Sequence, residues 1–74
     1  MGLREVDRYL REALSDAKHG RYMAMVRDIE MAVLKHAEDL SDMSIDKLGS
    51  YVEGYTKLMN WFKKELADIL EPRR

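Results

Sequence analysis

Apolar side chains recur through the last third of the chain at alternating steps of three and four: Ile45, Leu48, Val52, Tyr55, Met59, Phe62, Leu66 and Ile69. That is the period of one face of an α-helix, and no other stretch of the chain keeps it unbroken for so long. The spacing predicts a helix over 45–70, about 38 Å long at ~1.5 Å per residue. Ser44 stands where an N-cap is wanted, and Asp46 faces the positive end of the helix dipole. Glu71 precedes Pro72, which disfavours further helix, and Pro72-Arg73-Arg74 reads as a frayed tail. Gly49 and Gly54 each weaken such a helix by about 1 kcal/mol relative to alanine, which points to close packing of a neighbour at both.

A second stripe lies upstream. Leu3, Val6, Leu10, Ala13, Leu14 and Ala17 share one face and predict a helix over 3–18. Its flanks are ordered by sign: Arg4, Arg8, Arg11 and Lys18 lie on one side, Glu5, Glu12 and Asp16 on the other. This is the pattern of a solvated amphipathic helix. Apolar positions then restart at Tyr22 and continue through Met25, Val26, Ile29, Ala32, Val33, His36 and Ala37 to Leu40. The step from Ala17 to Tyr22 breaks the phase, and Gly20 supplies the residue that turns most cheaply. A helix over 22–39 therefore runs antiparallel to the first. Leu40-Ser41-Asp42-Met43-Ser44 reads as the next connection, its polar side chains competing for backbone hydrogen bonds.

The 45–70 stripe is not a two-stranded coiled-coil seam. With Ile45 at position a, the flanking positions carry Gly49, Tyr51, Leu58 and Leu70 where such a seam wants charges. The stripe is wide enough to touch two neighbours. The expected fold is an all-α three-helix bundle, an antiparallel hairpin plus a longer C-terminal helix, forming one domain over 1–74.

Composition narrows the function classes. A chain of 74 residues is short of core, and small domains lean on disulfides, metals, very regular packing or association. With no cysteine, disulfides and thiolate metal sites are excluded, and two histidines are too few for a structural zinc site without carboxylate help. The formal charge of −1 gives no bulk attraction to nucleic acid or acidic lipid. No apolar run approaches a membrane span, and the charged start reads as neither signal peptide nor myristoylation site, so a cytoplasmic, membrane-free protein is expected. Glutamine is absent and Asn60 is the one asparagine, a depletion of heat-labile amides that suggests a thermophilic source.

Catalytic constellations are missing from the pattern. There is no glycine-rich phosphate loop, no cysteine nucleophile and no serine on a glycine elbow. His36 falls on an apolar face, where a histidine is most simply packed, and His19 suits the negative end of the first helix. Asp16 and His19 have the spacing of one half of a di-metal motif whose other half is absent. No enzyme activity, metal or cofactor is expected.

Apolar residues off the main stripes carry the functional expectation. Tyr51, Leu58 and Trp61 line up beside the primary face of the third helix, and Met23, Met31 and Leu34 point away from the Tyr22–Val33 side of the second. Methionine adapts to varied partners and tryptophan is enriched in interface hot spots. These six residues are the expected partner-binding set of a noncatalytic interaction module or accessory subunit. Its partner would be another protein or a second copy of the chain. The alternative is a nucleic-acid-binding accessory protein using Arg4, Arg8, Arg11 and Lys18.

The hairpin formed by the first two helices also resembles a pattern shared by MIT domains (microtubule interacting and trafficking) and tetratricopeptide repeats. Gly20 and Tyr22 match the turn, and Ala32 and Val33 the close crossing. Met25 stands where those families prefer alanine and Ile29 where they prefer an aromatic. There is no second copy of the hairpin, so a free-standing bundle is closer to an MIT domain than to a repeat array. That resemblance implies peptide binding in an interhelical groove.

Overall fold

The computed structural model describes residues 2–71, and the expected Pro72–Arg74 tail lies outside them. Three helices follow in order: α1 (Gly2–Lys18), α2 (Tyr22–Asp42) and α3 (Ile45–Leu70). The fold is an all-α three-helix bundle, with α1 packed along both α2 and α3.

Gly20 makes the first turn. Its φ of 74° is the left-handed conformation that L side chains resist, and its amide bonds back to the Ala17 carbonyl at 3.1 Å. His19 closes the end of α1 as its charge preference suggests: Nδ1–H donates to the Ser15 carbonyl at 2.8 Å. The second connection is shorter than the polar residues imply. Helix α2 continues through Leu40, Ser41 and Asp42, leaving only Met43 and Ser44 outside helix. Ser41 does not break it, because its hydroxyl donates to the Glu38 carbonyl at 2.8 Å and stays within the helical pattern. Ser44 has the extended backbone of an N-cap, but its side chain makes no capping hydrogen bond.

The core belongs to α1. Val6, Leu10, Ala13, Leu14 and Ala17 are all buried, joined by Ala32 from α2 and by Tyr51 and Phe62 from α3. Tyr9, Met25, Ile29, Tyr55, Leu58, Met59, Trp61, Leu66 and Ile69 pack around them, half-buried. At Gly54 α3 passes close beneath a side chain of α1: a Cβ there would meet Leu3 Cδ1 at 2.9 Å. Gly49 has no such reason, since a Cβ there would meet nothing within 4 Å, which corrects the expectation of close packing at both glycines.

The shape is open. Cα extents of 45 × 22 × 13 Å describe a flattened layer, and the radius of gyration is 13.3 Å. A compact chain of this length comes to about 11 Å. Because α1 sits over the pair while α2 and α3 approach each other far less, the side of the layer away from α1 is left uncovered.

Candidate interaction face

On α3 the sequence stripes assign four apolar residues to the wrong environment. The series from Ile45 to Ile69 was expected to be core. Its first members are outside: Ile45 is 89% exposed, Val52 45% and Leu48 36%. Tyr51, expected beside the core and free for a partner, is buried. The reason is angular. At roughly 100° per residue, Tyr51, Leu58, Phe62 and Ile69 share one direction on α3, and that direction faces α1. Leu48, Val52, Met59, Leu66 and Leu70 point further round, by about 60–100°: Met59 and Leu66 are half-buried at the margin of the core, while Leu48, Val52 and Leu70 are exposed.

Helix α2 shows the same arrangement. Ala32 faces α1, whereas Tyr22, Val26, Val33 and Leu40 lie about a quarter turn away and are exposed, Val33 by 54%. Since α2 and α3 run antiparallel beneath α1 and already meet at His36 and Tyr55, these two quarter turns carry both stripes toward the side of the layer away from α1. The result is a two-stripe apolar face, α2 on one side and α3 on the other. Monomeric proteins seldom expose a contiguous apolar patch beyond a few hundred Å² without a use for it.

One aromatic cluster joins the two stripes near the α2–α3 turn. The Tyr51 hydroxyl donates to Asp39 Oδ2 at 3.2 Å. Its oxygen is then free to accept from His36 Nδ1–H at 2.9 Å, which fixes the His36 tautomer. Burial, and then the Asp39 carboxylate, push the Tyr51 phenol up to about 12, so it remains a neutral donor at any physiological pH. His36 is held between two rings, stacked on Tyr51 at 5.5 Å and on Tyr55 at 3.7 Å. The sequence marked His36 as a packed residue, and it is one. Nothing in the spacing pointed to Asp39 or to the bond with Tyr51, which joins residues far apart in the chain.

Of the remaining partner-binding expectations, Met23 is 81% and Leu34 is 56% exposed on the outer side of α2, with Met31 half-buried beside them. Ile29, Met31, Val33 and Leu34 line a shallow apolar depression there, bordered by Arg27 and Glu30. Leu58 and Trp61 are half-buried against the core, and the Arg11 guanidinium lies 4.7 Å above the Trp61 ring. The structure thus separates the six: Tyr51, Leu58 and Trp61 pack with α1, while Met23, Met31 and Leu34 lie on the outer side of α2.

The basic flank of α1 is internally compensated. Arg8 Nη2 donates to Glu5 Oε2 at 3.0 Å, and Arg11 Nε donates to both oxygens of Asp7 at 3.0 and 3.1 Å. The Arg8 partner in turn holds the Glu5 carboxyl below the usual carboxylate range. Arg4 and Lys18 are exposed at opposite ends of the helix.

A carboxyl pair sits between α1 and α2. One Asp28 oxygen is buried without a hydrogen-bond donor, beside the Asp16 carboxylate. Burial, with Asp16 and Glu12 adding to it, pushes the Asp28 carboxyl up to about 6. The hydrogen bond to Asp28, and then Arg21 at 2.9 Å, hold Asp16 below its ordinary value. Below about pH 6 a proton on Asp28 can be donated to Asp16 and close this contact. Among the described residues no group of three or more His, Asp or Glu is placed to hold a metal ion, and no helix is long and apolar enough to cross a membrane.

Comparison with protein-family models, curated proteins and solved structures gives no match.

Proposed function

We propose that the protein is a noncatalytic protein–protein interaction module, an accessory subunit that seats the apolar face between α2 and α3 on a partner's helical surface. The observation that carries this reading is the exposure of two apolar stripes, Tyr22–Val26–Val33–Leu40 and Leu48–Val52–Leu70, whose helical phase turns both toward the side of the layer away from α1. Apolar area removed from water is worth roughly 25 cal/mol per Å², so covering these stripes is a substantial driving force for a chain with so small a core of its own. Nucleic-acid binding is the weaker reading, because Arg8 and Arg11 spend their charge on Glu5 and Asp7.

The test is site-specific photocrosslinking in cells. A photoreactive residue at Val33 is expected to yield a discrete protein adduct, and the same group at Glu12, on the polar side of α1, is expected to yield none. Equal labelling from both positions, or none from Val33, contradicts the proposal.

A further inference from the structure

Resting on that reading of the face, we infer that its occupant is a second copy of this chain. Two stripes of comparable length run antiparallel on one flattened surface. A two-fold axis along the helix direction would lay α2 of one copy against α3 of the other, twice over, which is an isologous contact. The result is a four-helix antiparallel core with α1 on each outer side, and short-linked antiparallel helices pack readily in that way.

Charge fits. Most of the large apolar side chains exposed by more than a third lie on or beside this face, where a two-fold contact would cover them. The net charge of −1 sets no repulsion between copies, and it offers no field to select a strongly acidic or basic foreign peptide. The charges bordering the face have opposite sign on its two sides: Glu30, exposed, borders the α2 stripe, and Lys63, exposed, interrupts the α3 stripe. His36 bonded to Tyr51 and stacked on Tyr55 sets the level of one helix against the other. From there, Glu30 and Lys63 fall within about one helical turn of the same height. The two-fold keeps heights unchanged, so Glu30 of one copy meets Lys63 of the next, at both edges. An unrelated helix would have no reason to match both.

Light scattering behind size exclusion decides it. The full chain is expected to run at twice its 8.7 kDa mass. Val33→Asp with Val52→Asp is expected to run as a single chain that stays helical by circular dichroism. Lys63→Glu is expected to weaken the dimer by about tenfold, and adding Glu30→Lys to restore it. These two positions are exposed, so the charge swap keeps the test valid if the double aspartate fails to fold. A wild-type mass of one chain at every concentration overturns the second copy, as does a dimer indifferent to both the aspartates and the charge swap. A single-chain mass with a surviving adduct from Val33 to a different protein discards the second copy and keeps the interaction module. A single-chain mass with no adduct discards both.

Discussion

The His36 imidazole lies flat on the Tyr55 ring, their centroids 3.7 Å apart and their planes 10° from parallel. This contact links α2 and α3 at the end of the layer nearest their turn, and the Tyr51 hydroxyl locks it by bonding to His36 and Asp39. Beyond it the two helices are held mainly through α1. The open face owes its shape to that arrangement.

Tyr51→Phe keeps the buried ring and removes both hydrogen bonds. A loss of about 1–3 kcal/mol in unfolding free energy is expected, since two partly buried hydrogen bonds go, one of them to a carboxylate. Chemical denaturation of the two proteins measures it. A neutral result would mean that stacking alone holds the cluster.

The two helical glycines are expected to differ. Gly49→Ala adds a methyl to open space and should raise stability by about 0.5–1 kcal/mol through helix propensity. Gly54→Ala must displace the tip of Leu3, so its gain should be smaller, and a bulky residue there should reverse the sign. Urea midpoints of the two alanine variants compare them directly.

Asp28 gives the fold a pH dependence. Its folded value of about 6 lies above its ordinary 3.8, so the stabilisation from the protonated pair is full below the ordinary value and fades as pH rises through the folded one. Between pH 5 and 7.5 the loss should be about 1 kcal/mol. Asp28→Asn supplies a permanent hydrogen-bond donor to Asp16. It is expected to raise the melting temperature at pH 7.5 and to flatten its change over that range. Thermal melts of both proteins at pH 5 and pH 7.5 check the sign.

The paired arginines set an expectation for nucleic acid. With Arg8 held by Glu5 and Arg11 by Asp7, the chain should pass through heparin unretained near physiological salt. Asp7→Asn with Glu5→Gln frees both guanidiniums and is expected to increase retention. Strong retention of the unaltered protein would revive the basic flank of α1.

Much of this fold was legible in the residue order. Gly20, the phase break after Ala17 and the long stripe from Ile45 were enough to place three helices and their antiparallel hairpin. What the periodicity does not carry is the direction a wide stripe faces. On α3 the buried Tyr51–Phe62 line and the exposed Leu48–Val52 line differ by less than a third of a turn. Either could serve as core until the position of α1 selects one. Helix α1 decides because its stripe is narrow and unambiguous, and every member from Val6 to Ala17 is buried. The His36–Tyr51–Asp39 cluster was out of reach for a different reason: it depends on the level of α2 against α3, which no local spacing encodes.

The Val33 and Val52 stripes lie outside the core of the folded unit. Val33→Asp with Val52→Asp, melted by circular dichroism at micromolar concentration, tests it most directly. Full helicity is expected, with a cooperative transition within a few degrees of the wild-type chain held dilute enough to be monomeric. If the two stripes instead close on each other, each aspartate would be buried without a partner at a cost of several kcal/mol. A chain of this size could not absorb that, and loss of the helical signal at ambient temperature would place both stripes in the core instead.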